Sequence, residues 1–115
     1  MDVRLFRLEV FVSARGNRPF NDWLDGLRDG QAAEIIDKRL ARLENGNLGD
    51  CKFFDSIIEL RIDHGPGYRI YCARKEKAIL LLLIGGAKRT QAGDIKTALE
   101  YWREYQARTP GKRAV

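Results

Sequence analysis

The 115-residue sequence predicts an α+β domain: two N-terminal helices packed on a mainly antiparallel four-stranded sheet, closed by a C-terminal helix in the order β-α-α-β-β-β-α. Three observations predict it. Several short segments alternate apolar and polar residues, the mark of half-buried strands. Two segments near the start carry apolar residues at helical spacing instead. A wholly apolar run, "AILLLLI", precedes one last helical stripe.

The elements follow in order. In "RLFRLEVFVS" Phe6, Leu8, Val10 and Val12 share one face, with Arg7 and Glu9 on the other. After the loop "ARGNRP", Phe20, Trp23, Leu24 and Leu27 fall at i, i+3, i+4 and i+7, and Pro19 suits the first turn of that helix. Ala32, Ile36, Leu40 and Leu43 mark a second helix, with Glu34 and Lys38 paired on its wet side. "ENGNLGD" ends it. "IIELRIDH" alternates Ile58, Leu60 and Ile62 against Glu59, Arg61 and Asp63. "HGPG" turns tightly into "YRIYCAR", where Ile70 and Cys72 oppose Arg69 and Tyr71. "KEK" turns again into "AILLLLI", which is apolar at every position and so belongs inside the sheet, covered on both faces. Asp94 starts or caps a helix whose stripe is Ile95, Ala98, Leu99 and Trp102. Residues 1–106 thus read as one domain, and 107–115 as a basic, mobile tail.

Composition narrows the function classes. The net charge is +5, and residues 52–89 hold eight basic against four acidic side chains. A basic second half suits an anionic partner. Two cysteines and one histidine supply neither a disulfide framework nor a metal-ligand cluster, so no metal and no cofactor is expected. No apolar run approaches the roughly 18 residues of a membrane span, and the charged N-terminus does not read as a signal peptide. The expected location is the cytoplasm, without a membrane partner.

Four cations draw attention together. Arg61 and Arg69 occupy the polar phase of two strands joined by a short turn, so they project from one face of the hairpin. Lys88 and Arg89 leave the end of the next strand. All four can line one basic surface, ready for an anion; equally, each can pair with Glu59, Asp63 or Glu76 as an ordinary surface ion pair. "GGAKRT" does not fit the nucleotide P-loop, because its glycines are adjacent and stand two residues before the lysine. Gly85 and Gly86 either form an anion-binding nest or simply let the chain leave a crowded strand, the blander and preferred reading. His64, at a strand–turn junction, is a candidate proton carrier. Tyr68 and Tyr71 are candidates for stacking a base, or else buried sheet aromatics.

Taken jointly, "ELRID", "HGPGYRIYCA" and "LLLLIGGAKRTQAGDIKTALEYW" resemble the RelE/ParE/HigB superfamily of type II toxins, in its phage-related addiction-module killer-protein branch. "PFNDWLDGL" and "RLARLENGNLGD" fit the same branch, so the resemblance covers residues 4–105. It implies a RelE-like fold, with two helices on a twisted antiparallel sheet. It also implies a toxin neutralised by a cognate antitoxin, in this branch a helix-turn-helix protein. Many members are ribosome-dependent mRNA endonucleases that need no metal: the RNA 2′-hydroxyl attacks the adjacent phosphate, and basic side chains stabilise the pentacovalent oxyanion.

Carried over residue by residue, the resemblance implies that Arg69 contacts the scissile phosphate and that Arg61 and Lys88, or its neighbour Arg89, stand beside it, with His64 and Tyr71 as candidate proton carriers. Arg89, Tyr71, Gln91 and Arg74 are the implied RNA-binding set. The family's C-terminal tyrosine or histidine base is not clearly reproduced. Two other outcomes belong to the same resemblance: a ParE-like poison of DNA gyrase that acts by protein binding, and a remnant that only binds its antitoxin.

Overall fold

The computed structural model describes residues 5–108. The strands are β1 (Arg7–Val10), β2 (Cys51–Phe54), β3 (Ile57–Ile62), β4 (Tyr68–Glu76) and β5 (Ile79–Ala87). The helices are α1 (Pro19–Asp25), α2 (Ala32–Glu44) and α3 (Gln91–Ala107), the last preceded by a single 3₁₀ turn, Lys88–Thr90. The fold is the expected α+β arrangement, but the sheet has five strands rather than four. Its order is β1-β5-β4-β3-β2; β1 pairs parallel to β5 and every other pairing is antiparallel.

The added strand is β2, "CKFF", which pairs with β3 from Cys51↔Leu60 to Phe54↔Ile57. It is too short to show a period, and adjacent Phe53 and Phe54 break the alternation that marks a strand. Its two-residue turn places Asp55 at φ 59, a left-handed conformation that aspartate tolerates better than most residues.

Helices cover both faces of the sheet. On one, Phe20 of α1 and Ile36 and Leu43 of α2 pack with Leu60, Ile70 and Leu82. On the other, Ala98 and Trp102 of α3 pack with Phe11, Tyr71, Ala73 and Leu83. This explains why β5 is apolar throughout: its successive side chains enter two different cores. Ala107 still belongs to α3 and Arg108 follows as its cap, so the expected tail boundary falls slightly later; residues 109–115 lie outside the described residues.

The two glycines at the end of β5 allow both layers to close. A Cβ on Gly85 would enter the ring of Trp23 on α1, and one on Gly86 would strike the Asp94 carboxylate at the start of α3. They serve close packing, one toward each face. Gly85→Ala is therefore expected to cost about 1–3 kcal/mol through overpacking, read as a lower urea midpoint.

Candidate functional site

The register of β3 and β4 sets Arg61 directly opposite Arg69, and Glu59 opposite Tyr71. Because strand side chains alternate, these four share the face that α3 covers. Two arginines facing each other across a ladder repel. Here Glu59 resolves the repulsion. Its side chain is fully buried, and Oε1 accepts from both Arg61 Nε and Arg69 Nη1 at 2.9 Å. Oε2 accepts from Tyr71 Oη at 3.1 Å and from Gln91 Nε2, at the first turn of α3, at 2.8 Å. A carboxylate offers about four acceptor sites, and all are engaged.

The electrostatics follow from that saturation. Burial by itself raises the Glu59 carboxyl, but hydrogen bonds from Arg61, Gln91 and Tyr71, with the charge of Arg69, hold it below its ordinary value of 4.5. Burial, then the neighbouring Glu59 charge, pushes the Tyr71 phenol well above its ordinary range. Tyr71 is thus a donor fixed on Glu59, and its fully enclosed ring offers no face for base stacking. The sequence-based stacking role for Tyr71 is replaced by a positioning one. To accept a proton Glu59 would have to give up one of these four donors.

Two guanidinium cations on one carboxylate leave the centre positive. Arg69 is 9% exposed, whereas Arg61 is more open to solvent. Lys88 and Arg89 are both exposed on the 3₁₀ turn that leads directly into Gln91. Ala87, just before them, pairs with Tyr68, and a Cβ on Gly67 of the β3–β4 turn would touch the Lys88 side chain at 3.4 Å. Lys88 and Arg89 thus stand at the Arg69 end of the sheet, as sequence spacing suggests. Thr90 Oγ1 donates to Asp94 Oδ2 at 2.5 Å, which ties this turn to the first turn of α3. Asp94 therefore acts in the first turn, with Thr90 at the cap position.

His64 and Arg74 do not join this centre. His64 Nε2 lies 2.9 Å from Asp29 Oδ2 in the α1–α2 connection, and its ring stacks on Tyr68, which belongs to the opposite core. The His64 hydrogen bond draws the Asp29 carboxyl below its ordinary value. Arg74 lies further along β4, opposite Leu80, with its guanidinium over the ring of Phe6. Among the described residues no group of three or more His, Cys, Asp or Glu side chains could hold a metal ion.

The residue that sequence reasoning missed is Glu59, named there only as one of three possible surface partners. A signal exists in hindsight: Glu59 shares the phase of Arg61 and, through the short turn, the face of Arg69.

A protein of Haemophilus influenzae recorded as uncharacterized is 46% identical to this chain over 80 residues, covering 69% of this chain and 81% of the relative. The chain belongs to that protein's family. No family model matches it. The relative's description states no activity, so the Glu59 centre is what bears on function.

Proposed function

We propose that this protein is the toxin of a type II toxin–antitoxin pair in the RelE/ParE/HigB superfamily, acting as a metal-independent, ribosome-dependent mRNA endonuclease. The observation that carries the proposal is the Arg61–Glu59–Arg69 arrangement beside exposed Lys88 and Arg89. A saturated buried carboxylate holds two guanidinium groups in fixed positions, with positive charge in excess. Such preorganised donors suit a reaction in which charge builds up on a phosphate.

In this reading the RNA 2′-hydroxyl attacks the adjacent phosphate and the bond from phosphorus to the next nucleotide's 5′-oxygen breaks. This leaves a 2′,3′-cyclic phosphate and a 5′-hydroxyl end, with the 2′-hydroxyl proton passing through solvent to the leaving oxygen. Arg69 and Arg61 stabilise the pentacovalent oxyanion, while Lys88 and Arg89 hold the strand. Tyr71 and Gln91 position Glu59, and Glu59 positions the arginines. Catalysis then rests on orientation and charge stabilisation, with no base assigned among these side chains.

The cognate antitoxin, a helix-turn-helix protein in this reading, is a further part of the proposal. Strand β2 supports a protein partner: it is an edge strand whose Phe53 is 61% exposed. No described helix is long and apolar enough to cross a membrane.

Brief induction in cells, with 5′-end mapping of transcripts, tests the reading. New cuts within open reading frames are expected. Growth arrest with intact transcripts and a DNA-damage response would point to gyrase poisoning instead. Lys88→Ala combined with Arg89→Ala offers a clean variant, since both side chains are exposed and neither forms an ion pair among the described residues. It is expected to weaken binding to RNA and flatten the salt dependence of that binding, with the urea midpoint unmoved.

A further inference from the structure

We infer that the pocket between α2 and the end of β3 is a second anion site, built for a phosphate oxyanion and held by Lys38, Arg39 and Arg42. The pocket has a volume of about 390 Å³ and is lined by Ile35, Lys38, Arg39 and Arg42 from α2, with Asp50, Arg61, Ile62 and Asp63 across from them. The four α2 residues fall at i, i+3, i+4 and i+7, a single helix face. This face borders the buried stripe of Ala32, Ile36, Arg39 and Leu43 and shares Arg39 with it. Three of its four positions here are cations.

Arg39 is the decisive residue. It is only 4% exposed, yet no carboxylate pairs with it among the described residues. Its Nε donates to the Arg61 carbonyl at 3.4 Å, and Nη2 donates to the carbonyls of Asp50, at 3.1 Å, and Leu48. Those bonds fasten the α2–β2 connection to β3. They leave Nη1 buried with no partner among the described residues. A buried donor without an acceptor is costly, and a buried cation without a counterion more so. Burial accordingly draws the Arg39 guanidinium below its ordinary range.

Arg42 joins the same spot. A Cβ on Gly49 would lie 2.9 Å from Arg42 Nη2 and 3.0 Å from Arg39 Nη2, so both guanidiniums converge on the Gly49 backbone. Lys38 has one ion pair among the described residues, an exposed one to Glu34 at 3.7 Å. The Arg61 guanidinium is already paired with Glu59, so Lys38, Arg39 and Arg42 against the carboxylates of Asp50 and Asp63 leave the pocket one charge positive. That excess suits a singly charged phosphate group, and a tetrahedral oxyanion can accept from donors arriving in several directions. This inference does not depend on the proposed cleavage reaction.

The test is a ¹⁵N NMR titration at constant ionic strength with three probes: inorganic phosphate, a short oligoribonucleotide lacking a terminal phosphate, and glutarate. Saturable shifts are expected at the amides of Arg39, Gly49 and Asp50. The variant Lys38→Gln with Arg42→Gln, at two exposed positions, is expected to bind at least about tenfold more weakly, since each lost charge-assisted bond contributes on that scale. Tighter binding of the oligoribonucleotide at these amides assigns the site to an RNA backbone; binding of phosphate alone assigns it to a free phosphate ester. The absence of saturable shifts, or equal affinity in the double variant, overturns the proposal. Equal binding of glutarate overturns it in favour of an acidic peptide.

Discussion

Glu59→Gln is expected to destabilise the fold by about 3 kcal/mol, the scale of breaking a buried ion pair from one side. The substitution keeps the shape of the side chain but removes the charge between Arg61 and Arg69, which lie directly opposite each other. An amide also presents one oxygen where four donors now meet a carboxylate. Urea denaturation at neutral pH measures the loss. Its pH dependence supplies a second check. Because the folded carboxyl is held below 4.5, its contribution is complete above that pH and is lost as the pH falls through the lower folded value. The wild type should therefore lose its advantage over Glu59→Gln on acidification below pH 4.5. A gap that stays constant into acid would show that Glu59 is not the ionised hub described here.

Arg69→Ala is expected to lower RNA cleavage by about 10²–10³, the scale of losing one preorganised oxyanion donor. The variant is not structurally silent. Glu59 Oε1 keeps Arg61 but loses its second guanidinium, so some stability goes with the activity. Comparison with Arg69→Lys separates the two effects. Lysine restores a cation to pair with Glu59 but not the planar fork, so it should recover more stability than activity. Equal recovery of both would mean that Arg69 serves the fold alone.

Most of the architecture was legible in the chain because periodicity reports burial. The stripe through Phe20 and Trp23, that through Ile36 and Leu43, and the alternation in "IIELRID" all became the expected elements. Strand β2 was not legible: four residues against one neighbour carry no period, and Phe53 points its apolar surface outward. At the site, the phase of Arg61 and Arg69 correctly placed them on one face.

What alternation could not reveal is that α3 roofs that face. A charged phase normally marks water, so Glu59 read as a surface partner when it is the buried centre. Arg39 escaped for a related reason. It stands three residues after Ile36 and four before Leu43, in a core position that sequence patterning assigns to an apolar side chain. Its backbone partners come from a loop, which periodicity does not predict.

The arginine pair on Glu59 is proposed to cut RNA. Mapping the 5′ ends of one defined mRNA in a translating extract tests it most directly, with equal amounts of folded wild-type protein and Arg69→Ala added. New ends within the reading frame, dependent on translation, are expected for the wild type, and none above background for the variant. An intact message with the wild-type protein, or an unchanged set of cuts with Arg69→Ala, would contradict it.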